Sequence, residues 1–188
     1  GVLCHLPRAM SVIDQLQQLI HDPPPSYLFE ISELGIAVAN IEGAPRINFE
    51  PLPAGILEIS PLADNVRNAD ALTRAVQKLA PLNGRRNHPC ALILPDFAAR
   101  VSVLDFDSLP RDESEQLSLV RFRLKKTLPF DIDSAMVSYF VQPNPDKGRV
   151  DVVAAVMSLE IVARYEAVFR AAGFHPGSIT TSALSMLN

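Results

Sequence analysis

Hydrophobic positions between residues 112 and 131 recur with the spacing of an amphipathic α-helix. The apolar side chains on one face of this helix are Leu117, Val120, Leu124 and Leu128. Asp112 and Glu115 have the spacing of a capping box, which satisfies free N–H groups at the start of a helix. Pro129 prevents the helix from continuing. The sequence therefore predicts one helix with both ends encoded, whose apolar face must be covered by neighbouring segments.

Before this helix, short apolar runs separated by glycine and proline have the pattern of β-strands. The three runs are residues 27–31, 36–41 and 46–51. They predict an antiparallel meander. Residues 68–80 then predict a helix that Pro81 ends. Residues 91–94 are wholly apolar, which is typical of a strand in the interior of a sheet.

The segments on both sides of the capped helix predict a second, smaller sheet. Its strands are residues 99–106, 135–142 and 149–157. A strand, a helix and a hairpin make a small α+β insert, in which the strands cover the apolar face of the helix. Ser158 then caps a further helix that Gly173 ends. Residues 175–180 predict a last strand, and a helix begins at residue 181.

The order of these elements predicts a mixed α/β (α+β) fold. Three antiparallel strands, a helix and a strand that returns to the sheet interior form the opening of a ribonuclease-H-like or actin-like unit. The predicted organisation is a leader and linker over residues 1–26, a first subdomain over 27–95, an inserted α+β subdomain over 96–157, and a return to the first subdomain over 158–188. Three prolines at positions 23–25 make the linker stiff.

The charge and the hydrophobic pattern of the chain argue against two classes of function, nucleic-acid binding and direct membrane insertion. A net charge of −4 and a pI near 5.5 argue against a nucleic-acid binder. No apolar run approaches the roughly 20 residues that cross a bilayer, so direct membrane insertion is not expected. The two cysteines, Cys4 and Cys90, lack metal-binding spacing and fit a reducing compartment, so the expected location is the cytoplasm.

Motifs for catalysis are absent from the sequence. It has no glycine-rich phosphate loop, no zinc-binding helix and no nucleophile elbow, so no catalytic residue is predicted. Two carboxylate pairs, Asp105 with Asp107 and Asp131 with Asp133, have a spacing that could hold a divalent ion. We favour the alternatives, a solvated strand end for the first pair and a turn for the second, and predict no metal.

Four basic residues crowd the end of the capped helix: Arg121, Arg123, Lys125 and Lys126. They could bind an acidic partner or a lipid headgroup. Pairing with the negative end of the helix dipole explains their placement without a ligand, so a solvated face is the favoured interpretation.

The order of several short segments resembles the PilM family, actin-like cytoplasmic proteins of type IV pilus assembly, with FtsA and GspL as more distant relatives. The segments that carry the resemblance are Ala54-Gly55-Ile56-Leu57, residues 91–95 leading into Arg100-Val101, Leu109-Pro110, the capped helix with Thr127-Leu128-Pro129-Phe130, residues 152–156, and Ala171-Ala172-Gly173-Phe174. The resemblance covers residues 27–188 and corresponds to the first half of the family's fold.

This resemblance implies an extended peptide ligand, the cytoplasmic N-terminal tail of the inner-membrane protein PilN, in a groove between two subdomains. It also implies ATP binding in the cleft of the complete fold, with magnesium. Family members open with an Asp-Ile-Gly phosphate loop, whereas this chain has Glu30, Ile31 and Ser32. A degenerate loop lacks the glycine that lets backbone approach phosphate, so no cofactor is expected in this chain.

The function that follows is a non-catalytic scaffold of type IV pilus assembly, peripheral at the inner membrane through a PilN-like partner. The alternatives are an actin-like ATPase whose nucleotide-binding second half lies outside this sequence, and the cytoplasmic domain of a GspL-like protein of a type II secretion system. Phe122, Leu128 and Phe130 are the candidate partner-binding residues, because Phe122 lies off the buried face of its helix. Ordinary packing against the strand hairpin is at least as well supported.

Overall fold

The computed structural model describes residues 24–41, 46–82, 84, 87–144 and 148–182. Within these residues eight strands and three α-helices follow one another. In chain order they are β1 (Tyr27–Ser32), β2 (Gly35–Asn40), β3 (Arg46–Pro51), α1 (Ala69–Leu79), β4 (His88–Leu94), β5 (Arg100–Phe106), α2 (Glu113–Leu124), β6 (Ala135–Asn144), β7 (Arg149–Ser158), α3 (Leu159–Ala171) and β8 (Phe174–Thr181). Short 3-10 turns at Asp96–Ala98 and Ile132–Ser134 lead into β5 and β6.

The larger sheet has five strands in the order β3-β2-β1-β4-β8. β1, β2 and β3 are antiparallel neighbours, which confirms the predicted meander. β4 lies parallel between β1 and β8. The apolar run at residues 91–94 therefore belongs to an interior strand, as its composition predicted.

Helices α1 and α3 cover one face of this sheet and enclose the first core. α1 begins after Asn68, whose side chain accepts a hydrogen bond from the Ala71 N–H over 3.0 Å. Phe29 packs edge-on against Phe169 and Phe174, with ring centroids 4.9 Å apart in both pairs. Other fully buried members are Ile36, Leu72, Val76, Leu92 and Leu94. The core forms because alternate residues of β1, β2 and β4 point toward the helices.

The smaller sheet has three antiparallel strands in the order β5-β7-β6, with α2 on one face. The buried residues of this second core are Phe106, Val120, Leu124, Ile132, Ala135, Val152, Ala154 and Val156. They come from all three strands, from α2 and from the turn before β6. The predicted strand, helix and hairpin are therefore confirmed, and the apolar face of α2 is covered by the strands on both sides of it in sequence.

Asp112 caps α2 as its position predicted. Its Oδ1 accepts hydrogen bonds from the N–H groups of Ser114 (2.9 Å) and Glu115 (3.1 Å), and from the Ser114 hydroxyl. The Ser114 hydroxyl and the Glu115 N–H lower the pKa of the Asp112 carboxyl, because these bonds favour its charged form. The start of this helix is thus determined locally, by three polar residues within four positions of the chain.

The other end of α2 differs from the prediction. The helix ends at Leu124, and the N–H groups of Thr127 (2.8 Å) and Leu128 (3.2 Å) both turn back to the Leu124 carbonyl. Leu128 therefore lies beyond the helix, although it still packs against the second core. The predicted length was wrong because a turn closes the helix before Pro129 is reached.

The two sheets are joined through β7. Ala155 and Met157 point away from α2 and are buried in the first core. The smaller sheet therefore rests on the larger unit, and a groove forms where their loops meet. Residues 1–23 of the predicted leader, and the helix expected beyond residue 182, lie outside the described residues.

Candidate functional site

A groove of about 530 Å³ lies between the loop at residues 61–64, the start of α3 and the ring of Phe130. Its lining residues are Pro61, Leu62, Ala63, Asp64, Phe130, Ser158, Glu160, Ile161 and Arg164. The loop belongs to the larger unit, whereas Phe130 precedes β6 of the smaller one. The groove is therefore built by both units, at the place where the chain passes from β7 into α3.

The loop wall of the groove is fixed by Asn65, which is fully buried. Its side-chain oxygen accepts a hydrogen bond from the Ser60 N–H over 2.9 Å, and its carbonyl accepts one from the Glu58 N–H over 2.9 Å. An antiparallel bridge between Leu57 and Val66 closes the base of the loop. Such internal bonds hold a loop in one conformation, so this wall is formed before any ligand arrives.

Asp64 joins the loop to α3. One carboxylate oxygen accepts a hydrogen bond from the Val66 N–H over 2.9 Å, and the other lies 2.8 Å from the Nε of Arg164. Both side chains of the ion pair are close to half exposed. The pair is therefore accessible to solvent from the groove, and a ligand cation could compete for the Asp64 carboxylate.

The floor of the groove rests on buried aromatic and aliphatic side chains of α3. Ile161 is nearly fully buried, and Tyr165 one turn further on is fully buried. Burial raises the pKa of Tyr165 to about 12, the Asn65 side chain lowers it, and the Asp64 charge raises it. The tyrosine is thus uncharged across the physiological pH range.

The rim of the groove carries more negative than positive charge. Asp64 and Glu160 contribute carboxylates, and Arg164 is the one cation among the lining residues. Glu160 lies in the first turn of α3, whose N-cap Ser158 accepts a hydrogen bond from the Glu160 N–H over 3.3 Å. Leu62, Ile161 and Phe130 provide apolar contact area. An apolar channel with an acidic rim suits an extended peptide that carries a cationic group.

The structure does not bring the three predicted partner-binding residues to one place. Phe130 lines the groove, whereas Phe122 is 63% exposed and lines a different cavity beside β5. Leu128 is half-buried against the second core. Their role in partner binding stays a prediction, with Phe130 the one that lies in the groove.

Several groove residues had no signal in the sequence. Leu62 and Asp64 follow a proline in a segment without periodicity, and Arg164 is one polar residue on an amphipathic helix. The loop and α3 meet through an ion pair between residues one hundred positions apart. Only tertiary structure could have placed them together.

The hairpin at residues 30–35 contains Glu30, Ile31 and Ser32, which the sequence predicted to be a degenerate phosphate loop. Ile31 is buried in the first core, and the Ser32 hydroxyl donates to the Gly35 carbonyl over 3.1 Å. Glu30 and Glu33 are the ionisable residues of this hairpin, and both are acidic. A Cβ at Gly35 would lie 2.3 Å from the Phe49 ring and 2.5 Å from the carbonyl oxygen of residue 50, so this glycine permits close approach of β3.

The carboxylate pairs that were considered for a metal ion have protein partners. Arg149 lies 2.8 Å from Asp105 and 3.1 Å from Asp107. Asp131 caps the turn before β6 by accepting a hydrogen bond from the Asp133 N–H over 3.1 Å, which agrees with the predicted turn. In the part of the chain that is described, no group of three or more potential ligands is placed to hold a metal.

None of the described helices is long and apolar enough to cross a membrane.

Comparison with known proteins identifies the fold. No family model matches the chain, and no curated protein does. A chain of the PilM-PilN type IV pilus biogenesis complex is similar in structure, with a TM-score of 0.69 at 19% identity over 85% of this chain and 48% of that one. The cytoplasmic domain of EpsL, an inner-membrane component of the type II secretion system of Vibrio cholerae, gives 0.47 at 13% identity over 85% and 58%.

The first of these likenesses confirms the predicted fold class, a mixed α/β arrangement that matches the actin-like fold of PilM. This chain spans about half the length of the matched PilM chain.

Proposed function

We propose that this chain is a non-catalytic, cytoplasmic scaffold of type IV pilus assembly. In this proposal its groove binds the N-terminal tail of a PilN-like protein of the inner membrane as an extended peptide. The observation that carries the proposal is the preformed groove between the two units, in a chain whose fold matches PilM from a PilM-PilN complex.

The shape of the groove supports a peptide ligand. Its wall is held by Asn65 and its floor by Ile161 and Tyr165, so little conformational entropy is lost when a ligand binds. Leu62 is 60% exposed on the wall, opposite a floor that is apolar. An extended tail can place alternate side chains against Leu62 and Phe130 while its backbone remains partly solvated.

The charge of the groove supports a ligand that comes from a segment next to a membrane span. Cytoplasmic segments next to a membrane span are enriched in lysine and arginine. The carboxylates of Asp64 and Glu160 offer such a tail an opposite charge, and the whole chain carries a net charge of −4. Attraction of this kind steers association and selects orientation more than it adds affinity.

The proposal assigns no nucleotide to the described residues. The hairpin at residues 30–35 carries the acidic residues Glu30 and Glu33, and its Ser32 hydroxyl is already hydrogen-bonded to the Gly35 carbonyl. Partner binding therefore does not depend on ATP in this chain. Attachment to the inner membrane then occurs through the partner.

A peptide titration with paired leucine variants tests the proposal. The probe is a fluorescein-labelled peptide of the N-terminal cytoplasmic tail of the PilN-like protein from the same genome, measured by fluorescence anisotropy. Leu62→Asp introduces a charge into the groove, whereas Leu34→Asp makes the same change at a 79% exposed leucine in the β1–β2 turn. We expect binding to fall about tenfold or more for Leu62→Asp alone, because the lost apolar contact and the desolvation of a new charge together outweigh the attraction of that charge to a basic tail.

Equal affinity for the two variants would place the peptide elsewhere, provided that both melt at the temperature of the parent protein. Absence of binding by the parent protein would refute the proposed partner.

A further inference from the structure

The outer edge of β5 is open in the smaller sheet. Among the described strands, β5 pairs with β7 alone. It is seven residues long, and Val101 and Val103 on its exposed face are 51% and 68% exposed. Proteins usually protect such an edge with proline, lysine or a bulge, because unpaired backbone groups attract other strands. β5 contains no proline or lysine, so its edge is available to a further strand.

A cavity of about 500 Å³ runs beside this edge, between β5 and the second half of α2. Val103 and Leu104 line one side, and Leu119, Phe122, Arg123 and Lys126 line the other. Val103 and Phe122 are the most exposed of the apolar members, at 68% and 63%. The edge strand thus has an apolar surface on both of its faces, and the two cations lie on the α2 side.

The two cations of this cavity lack carboxylate partners in the described residues. Arg123 donates to the Asp105 carbonyl over 3.0 Å, and its guanidinium lies 5.2 Å from the ring of Phe106. Lys126 lies 5.9 Å from the ring of Phe122. By contrast, Arg121 on the same helix is paired with Asp133. Asp105 also lines the cavity, but its carboxylate is paired with Arg149 over 2.8 Å. Two cations without a carboxylate partner of their own, beside an apolar cavity, are complementary to an acidic ligand.

Pairing of β5 with β5 of a second copy is disfavoured by the same charges. A two-fold axis perpendicular to the sheet would keep both α2 helices on one face of the joined sheet. Arg123 and Lys126 of one copy would then face their counterparts across the junction, and like charges that face each other repel. The charge pattern therefore favours a different polypeptide.

We infer that β5 and α2 form a docking site for an extended segment of another protein, in which apolar and acidic residues alternate. The segment adds to β5 as a fourth strand of the smaller sheet. Side chains of a strand point alternately to its two faces, so apolar residues contact Val101 and Val103 while acidic residues reach Arg123 and Lys126. This site is separate from the groove at Leu62 and Phe130.

The test uses a synthetic peptide of four Val-Glu repeats with an N-terminal fluorophore, titrated by anisotropy at low salt. Four Val-Lys repeats serve as the control peptide, with the same alternation and the opposite charge. We expect the acidic peptide to bind, the basic peptide to bind at least about tenfold more weakly, and the affinity for the acidic peptide to fall with salt.

Matched variants locate the site. Val103→Glu and Lys126→Glu are each expected to weaken binding of the Val-Glu peptide about tenfold through repulsion. The controls are Ile47→Glu, at a 76% exposed residue of the edge strand β3, and Arg74→Glu, at an exposed arginine of α1. Both controls, and the groove variant Leu62→Asp, should retain the parent affinity.

Three outcomes would overturn the inference: no binding at millimolar peptide, a loss with Ile47→Glu equal to that with Val103→Glu, or equal binding of the acidic and basic peptides. Vesicles that contain anionic lipid separate a membrane surface from a peptide. If Lys126→Glu weakens vesicle binding but leaves peptide binding unchanged, the cations serve a lipid surface and the inference is wrong. Leu62→Asp changes the groove and not this site. Its effect on binding of the PilN-like peptide therefore tests the proposed function separately from the present inference.

Discussion

Arg164 of α3 holds Asp64 of the facing loop, with 2.8 Å between Nε and Oδ2. This ion pair spans the groove wall and the groove floor. Because the Val66 N–H binds the other oxygen of the same carboxylate over 2.9 Å, the side chain of Asp64 is oriented from two sides. The ion pair therefore connects the loop to α3 and helps to set the shape of the proposed binding site.

Replacing Arg164 with glutamine should affect peptide binding more than stability. Both members of the pair are close to half exposed, and exposed ion pairs contribute only about 0.2–1 kcal/mol. Loss of the cation frees the Asp64 carboxylate for a basic tail, so the affinity for such a tail should rise. Isothermal titration with the PilN-like peptide measures the affinity, and chemical denaturation measures the stability. Arg170→Gln, which removes another exposed ion pair of α3, is the control.

A lower affinity of Arg164→Gln with unchanged stability would show instead that the arginine itself contacts the ligand.

Replacing Leu124 with alanine should destabilise the smaller unit strongly. Leu124 is fully buried where α2 meets the second core, and Leu→Ala changes at such sites cost about 2–5 kcal/mol. Phe122 lies two residues earlier on the same helix and is 63% exposed, so Phe122→Ala should cost about 0.5 kcal/mol or less. Urea denaturation of both variants measures the difference. Similar costs would mean that α2 packs through another face.

The thiol of Cys90 should resist modification in the folded protein. Burial raises its pKa from 9.0 to about 12, so the thiolate is scarce at pH 8. In a Cys4→Ser background, labelling by a disulfide reagent at pH 8 should be at least about a hundredfold slower than in guanidinium chloride. Fast labelling under native conditions would show that β4 opens readily or is not an interior strand.

The raised pKa of Cys90 also determines how the stability of the protein changes with pH. The folded state holds the thiol proton of Cys90 more tightly than the unfolded state does. The stabilisation that results is therefore complete below about pH 9. It is lost as pH rises toward 12, and Tyr165, whose pKa is raised to about 12, acts in the same direction. Alkaline unfolding followed by circular dichroism should therefore shift to higher pH in Cys90→Ala.

ATP with magnesium should leave the melting temperature unchanged. The hairpin at residues 30–35 has two acidic residues, Glu30 and Glu33, and no basic one, and a ligand that does not bind the folded state does not stabilise it. Differential scanning fluorimetry with millimolar ATP and magnesium measures this, and the PilN-like peptide serves as the positive control. A rise of several degrees with ATP would contradict the expectation.

Local patterns were sufficient for most of the fold. The wholly apolar run at residues 91–94 predicted an interior strand because parallel strands are buried on both faces, and β4 lies between β1 and β8. Asp112 predicted the start of α2 because a cap is a contact between neighbours in sequence. The end of α2 was missed because the apolar spacing continues to Leu128, whereas Thr127 and Leu128 close the helix through hydrogen bonds to the Leu124 carbonyl.

The candidate site was much less predictable. Phe130 was named from the sequence, yet its neighbours in the groove come from a loop near residue 62 and a helix near residue 161. Phe122 was grouped with it by proximity in sequence, whereas the structure places it in a separate cavity on the far part of α2. Sequence proximity therefore indicated exposed apolar residues but could not assign them to a common surface.

Mapping of the PilN-like tail peptide by two-dimensional NMR tests the central claim most directly. The account predicts that amide shifts and line broadening concentrate at residues 61–64, at Phe130 and at residues 158–164, and that they disappear in Leu62→Asp while Leu34→Asp retains them. Perturbations confined to β5 and α2, or spread evenly over the surface, would contradict the assignment of the groove as the binding site.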